Sequence, residues 1–365
     1  MNTPKPISAT DSHFIDLTRF SMIVALVIHH IFQIPSSGFY PRESLFLDTT
    51  TAANLLNAFF HWASMSAVPV LSILSGFLFF SNSKSISSKI IKRGKSIFLP
   101  WLLWGIIWFS FAYLLFVVGN SRGLFEWANY GFNNPSIMTL LNGVLGITKH
   151  PFAFQFWFIH DLVLTVLLAP VILFLLNRIP YIATGLLAIV WILNLVGMPF
   201  FSGNVLMFFV IGSLIAIKGF SFEQCINALL PFKYLFIAIL TALILGRTYQ
   251  YIHPVLESYA YLCVLRIFGV LTCFSLIGAA VKAFPDSNQK AAMLAGFSFF
   301  IFATHYPVIE IVKTIIQRVP FQSSSIGQVI SFLVIPLATV IICLAIAKIT
   351  KMILPKVFGI LNGGR

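Results

Sequence analysis

Arg19 and His30 stand eleven residues apart in the apolar run FIDLTRFSMIVALVIHHIF, where a membrane helix tolerates ionisable groups poorly. Eleven steps of about 100° bring both onto one helix face, with His30 about 16 Å further along the axis. Asp16, three residues before Arg19, shares that face and can pair with it. Such side chains are kept for chemistry or transport. The Arg19 fork can hold a phosphate or carboxylate, and His30 can exchange a proton near neutral pH. A plainer reading leaves Arg19 snorkelling to the interface and His30 as a hydrogen-bonded packing residue. His29 points about 100° away from His30 and reads as structural.

Further candidates lie along the chain. Ser75 and Gly76 sit in VPVLSILSGFLFF, where small residues allow close helix packing or supply a hydroxyl. Lys84, Lys89, Lys92, Arg93 and Lys95 follow with no acid among them, ending at Leu99-Pro100, where a new helix can start. Such a loop suits anionic lipid headgroups or a cytosolic polyphosphate such as coenzyme A. FQFWFIHDLVL places Trp157, His160 and Asp161 at the end of another run, readable as an interfacial tryptophan and a water-facing helix start. His305, in GFSFFIFATHYPVIEIVK, falls about halfway across a membrane, with Glu310 further out. Arg266 is a second cation inside an apolar run and could neutralise Glu257 or a substrate.

The elements that must position these residues are membrane helices. The chain has 365 residues, 59% hydrophobic and 9% charged, with 39 Phe and a mean hydropathy of +0.95. Apolar runs recur near 14–34, 54–81, 96–118, 155–176, 181–197, 199–217, 229–246, 258–281, 292–316 and 327–350, without the period-2 alternation of a barrel. The sequence thus predicts an all-α, polytopic membrane protein of about ten helices, forming one membrane domain over 1–365. The stretch SIMTLLNGVLGI, between the third and fourth runs, could be re-entrant or interfacial.

The net charge of +13 is mostly topological. With the N-terminus inside, fifteen Lys and Arg fall on the cytoplasmic side, and only Arg42, Arg122, Lys149, Arg247 and Arg318 fall outside. That asymmetry predicts cytoplasmic termini and argues against a nucleic-acid partner. Cys225, Cys263, Cys273 and Cys343 are scattered, with no CxxC pair, so neither a disulfide framework nor a zinc site is expected. The first run lacks a small-residue cleavage site and reads as a retained helix. No Walker loop, GxGxxG, GxSxG or HExxH is present.

Taken together, the chain resembles the membrane-bound acyltransferase-3 family of bacterial polysaccharide and lipid-glycan acyltransferases. The resemblance rests on Asp16-x-x-Arg19 followed by ten residues and His30, on Ser75-Gly76-Phe77-Leu78, and on the basic loop running into Phe98-Leu99-Pro100. Phe156-Trp157-Phe158 and Ser298 to His305 complete it. Where the family has an arginine pair spaced RxxR, this chain has Lys92-Arg93-Gly94-Lys95. The resemblance implies a multi-pass protein of the bacterial cytoplasmic membrane. It would move an acyl group, acetyl first, from cytosolic acyl-CoA to a hydroxyl of a glycan, without a metal. His30, Arg19 and Asp16 would be catalytic, with His30 as general base or brief acyl carrier and Arg19 also holding the donor; Lys92, Arg93, Lys95 and Ser75 would bind the donor; Trp157, His305 and Arg266 would line the cavity. A succinyl-transferring relative is the near alternative. A transporter or flippase for a lipid-linked sugar, using the same charges as a path, is the distant one. Acceptor recognition would come from loops 35–53, 119–154 and 247–257.

Overall fold

The computed structural model describes residues 7–31, 51–119, 130–196, 201–252, 259–284, 288–316 and 318–364. Glu257 and residues 35–50, 120–129 and 253–257 of the three candidate acceptor loops lie outside the described residues. The first half contains α1 (Ala9–His30), α2 (Thr51–Ser64), α3 (Ala67–Phe80), α4 (Ile86–Arg93), α5 (Leu99–Gly119), α6 (Ile137–Leu145), α7 (Trp157–Leu167), α8 (Ala169–Arg178) and α9 (Pro180–Ile192). The second contains α10 (Gly203–Ile217), α11 (Phe222–Leu229), α12 (Lys233–Ile252), α13 (Tyr259–Ala283), α14 (Asn288–Ala295), α15 (Ser298–Ile316), α16 (Ser325–Ile353) and α17 (Pro355–Leu361). The described residues form helices and turns and no strand.

Among the described residues each predicted apolar run contains helix, and the protein is an all-α, multi-pass membrane protein. Seven helical stretches are long and apolar enough to cross a bilayer, and α7 with α8, bent by 57°, makes an eighth. With 13 and 15 residues, α9 and α10 reach only about 20 and 22 Å, short of a hydrocarbon core of about 30 Å. The stretch after the third run folds as α6. It is closed by a Ser136/Thr139 capping box and a left-handed Gly146 at φ 71°, and it lies along α5.

Prolines set the breaks. Pro69 offers no N–H to the Met65 carbonyl, and the second run splits there into α2 and α3. Pro170 does the same to Val166 and gives the α7–α8 bend. Pro100 releases the Ser96 carbonyl, and the chain passes through a π-helical turn, Gly94–Phe98, before α5. Gly363 sits so close to the Ser96 carbonyl that a Cβ would lie 2.3 Å from it.

The interior is organised around α1, which packs against α2, α3, α13, α15 and α16. Its buried stripe, Phe14, Thr18, Met22, Leu26 and His30 among others, recurs at helical spacing. Ser8 caps α1, accepting from the Asp11 N–H at 3.0 Å, while the buried Asp11 carboxylate accepts from the Glu223 N–H at 2.7 Å and ties α11 to the start of α1. α3 and α10 meet backbone to backbone at Gly76 and Gly212. The chain after the last span is also anchored. The fully buried Asn362 accepts from the Phe300 N–H at 3.1 Å and donates to the Gly296 carbonyl at 2.7 Å, so it caps α15. Large apolar side chains on α12 and α16, such as Tyr234, Leu235, Leu337 and Met352, face outward, where lipid would cover them.

Candidate active site

The face of α1 that carries Arg19 and His30 grades from open to closed. Ser12 is exposed, Asp16 and Arg19 are half-buried, and Ile23, Leu26 and His30 are buried. Exposure therefore falls along this face from the N-terminal end of α1, its open end, to His30, its closed end. At the open end, Arg19 Nη1 donates to Asp16 Oδ1 at 3.1 Å. Arg93, from the last turn of α4, turns inward toward Arg19, close enough for the two guanidinium charges to interact. Two like cations near one another on a partly exposed face are chemically able to hold an anion.

At the closed end, three elements bring four rings around His30, which is 2% exposed. His305 lies 5.2 Å away between centroids, Tyr306 5.5 Å, His29 5.7 Å and Phe154 5.9 Å. The placement of His305 follows from Pro307. A proline at that position leaves the Ala303 carbonyl without its helical donor. Two side chains from outside α15 fill the gap: Trp108 Nε1 donates to Ala303 O at 2.8 Å and Gln155 Nε2 at 3.0 Å. These bonds clamp α15 against α5 and the turn before α7. Within α15, His305 Nδ1 lies 2.7 Å from the Phe302 carbonyl. A carbonyl only accepts, so Nδ1 carries the proton and Nε2 is the basic nitrogen. That Nε2 is buried and without a hydrogen-bond partner.

Beside this centre, His150 packs on Phe154 at 4.8 Å, and Tyr130 donates to the His150 carbonyl. Burial pushes the His150 imidazole below its ordinary pKa, with the Asp161 charge opposing. Asp161 itself is buried at 1% exposure, which corrects the water-facing reading of this helix start. Its Oδ2 accepts from the Ser202 N–H at 2.8 Å, fixing the entrance to α10, and its Oδ1 lies 3.0 Å from His160 Nδ1. A buried carboxylate needs such donors, and the chain supplies them.

The predicted residues divide into three groups. Asp16, Arg19 and Arg93 come together at one end of α1, and His30 and His305 at the other. Lys92 and Lys95 are exposed on α4 and the π turn. Lys89, from the same basic stretch, is buried instead. It donates to the Asn82 carbonyl at 2.7 Å and sits over the rings of Phe79 and Phe80 at 5.7 and 5.6 Å. Ser75 is half-buried, and the close approach in its motif belongs to Gly76. Trp157 packs on Phe158, while the ring from this segment that meets His30 is Phe154. Arg266 stacks over Tyr259 at 5.4 Å, and its charge reaches His29. Sequence reasoning passed over Phe154, Gln155, Trp108 and His61. For Gln155 and Trp108 a signal existed, because Pro307 marks in advance which carbonyl needs an outside donor. Among the described residues, no group of three or more His, Cys, Asp or Glu is placed to hold a metal ion.

Comparison with known proteins adds to this geometry. A profile of the acyltransferase-3 type, described as an acyltransferase domain, matches residues 12–348. The chain is 23% identical over 367 residues to the succinoglycan biosynthesis protein ExoH of Rhizobium meliloti, covering 98% of this chain and 94% of that one. No solved structure matches. The matched region runs from the start of α1 through nearly all of α16 and takes in Arg19, Arg93, His30 and His305, and the chain belongs to the acyltransferase-3 family.

Proposed function

We propose that this acyltransferase moves an acyl group from a cytosolic coenzyme A thioester to a hydroxyl of a cell-surface or lipid-linked glycan. The observation that supports this reading best is the graded face of α1, with paired cations at its open end and two imidazoles at its closed end. Arg19 and Arg93 hold the phosphates of coenzyme A, with Lys92 and Lys95 drawing the donor in from the cytoplasm. The pantetheine arm is comparable in length to the roughly 16 Å between Arg19 and His30 along the helix, so the thioester reaches the histidines. His30 then removes the proton of the acceptor hydroxyl as its oxygen bonds to the thioester carbonyl carbon. The C–S bond breaks, and the proton passes to the departing thiolate. Water is excluded at that depth, which strengthens the electrostatic interactions inside. Asp16 keeps the Arg19 fork oriented.

The N-terminus lies in the cytoplasm in this reading, so α1 runs outward and delivers the acyl group toward an acceptor on the outer face of a bacterial cytoplasmic membrane. The glycan acceptor draws support from the relative named for succinoglycan biosynthesis. Acetyl, the group expected from the sequence, is the first donor to test. Membranes containing the full chain, incubated with acetyl-CoA labelled in the acyl group, should transfer label to the glycan fraction. Movement of a lipid-linked sugar without a labelled covalent product would instead favour a transporter.

A further inference from the structure

A second cluster of basic groups adjoins the His30 centre. His29 leaves α1 on a different face, touches the His30 ring edge-on at 5.7 Å, and stacks on His61 of α2 at 4.3 Å with the planes 19° apart. Its Nδ1 lies 3.1 Å from Ser64 Oγ and 3.3 Å from the His61 carbonyl, where the Pro69 break ends α2. Two arginines reach the same place from other helices. Arg266 of α13 lies over Tyr259 and its charge acts on His29; Arg247 of α12 lies over Trp62 at 4.9 Å and its charge acts on His61. Arg266 appears in none of the described ion pairs. The Arg266 guanidinium hydrogen-bonds Tyr259 and Cys263, while its Nη1 is buried without a partner, and so is Nδ1 of His61, a residue 7% exposed.

A buried guanidinium N–H left without an acceptor is costly, and a ligand that completes it explains why the Arg266 Nη1 persists there. The complement of a planar N–H fork beside imidazoles is an oxyanion. Resting on the acyl-transfer reading above, we propose that Arg266, with His29 and His61, forms a subsite for a carboxylate or phosphate of a substrate, seated one ring away from His30. Either side of the reaction can bring such a group. A dicarboxylic acyl chain carries a second carboxylate three carbon–carbon bonds from its reacting carbonyl, roughly 4 Å at about 1.5 Å per bond, and a glycan acceptor can carry a phosphate. The subsite therefore selects substrates by charge, which the His30 centre alone does not.

The test uses the full chain in membranes, with two donors, acetyl-CoA and succinyl-CoA, and two acceptors, a neutral and a phosphate-bearing oligosaccharide. In Arg266→Gln, transfer involving the anionic member of one pair should fall by about tenfold or more beyond any fall with its neutral counterpart, and Arg266→Lys should recover part of it. A loss confined to succinyl-CoA assigns the oxyanion to the acyl group, and one confined to the phosphate-bearing acceptor assigns it to the glycan. Equal loss across all four combinations, or no change, overturns the subsite. Where Arg266→Gln fails to insert, His61→Gln takes its place. If the wild type transfers neither acyl group to any acceptor, the acyl-transfer reading fails on its own. The subsite is then read by thermal melting of the solubilised chain with inorganic phosphate or succinate. Stabilisation of the wild type and not of Arg266→Gln supports it, and no stabilisation of the wild type contradicts it.

Discussion

Gly76→Ala tests what the Ser-Gly-Phe-Leu motif does. A Cβ at Gly76 would lie 2.0 Å from the Phe209 carbonyl oxygen and 3.0 Å from the Ser213 backbone nitrogen, while one at Gly212 would lie 2.0 Å from the Ile73 carbonyl oxygen. Ordinary carbon–oxygen contact begins near 3.4 Å, so α3 and α10 must separate by more than 1 Å at this point. The obstacle is helical backbone on both sides, which cannot swing away as a side-chain tip can. Overpacking of this kind costs about 1–3 kcal/mol, against a helix-propensity gain of at most about 1 kcal/mol for Gly→Ala. The steric term wins. Gly185→Ala is the control, because nothing lies within 4 Å of a Cβ there. The assay is thermal melting of the full chain in detergent, followed by size-exclusion chromatography. Gly76→Ala and Gly212→Ala should each lower the midpoint, and together by less than the sum, since either alone forces the helices apart. A Gly76→Ala protein that melts at or above the wild-type temperature would refute the packing account of the motif.

Arg19→Lys keeps the charge and loses the fork, so the KM for acyl-CoA should rise by about tenfold while membrane insertion is unchanged; unaltered initial-rate kinetics would argue against clamping of the donor phosphates. Lys92→Gln and Lys95→Gln, at exposed positions, should change donor affinity by less than about threefold at physiological salt and more at low salt, as salt titration of the rate would reveal. Asn362→Leu removes two buried hydrogen bonds that cap α15 and should cost about 2–4 kcal/mol in the same melting assay; a midpoint within a degree of wild type would contradict that role.

The sequence carried the helices plainly, because a stretch that must satisfy its backbone inside lipid has to be apolar and helical over its whole length. Among the described residues each of the ten apolar runs contains helix, and Pro69, Pro170 and Pro307 mark breaks and bends that hydropathy alone smooths over. The pairing of Asp16 with Arg19 was legible from a spacing of three residues. Contacts that close across distant parts of the chain were not. Nothing local to Arg93 shows that it faces Arg19 while Lys92 and Lys95 face solvent, or that Lys89 is buried on Phe79 and Phe80. Trp157 drew attention by its type, yet Phe154 meets His30, because the short turn before α7 sets which ring points inward. Asp161 looked like a wet helix start and is instead a buried acceptor for the Ser202 N–H, a partner 41 residues away. His29 read as structural because it turns away from His30, and that turn is what brings it onto His61 and within reach of Arg266.

The central claim is that His30 performs acyl transfer at the buried end of the α1 face, and the most direct measurement is the mass of the host's surface glycans with wild-type protein and with His30→Ala inserted at equal levels. The account predicts an acyl mass increment on the glycan with the wild type and its loss with His30→Ala. The same increment in both would contradict it.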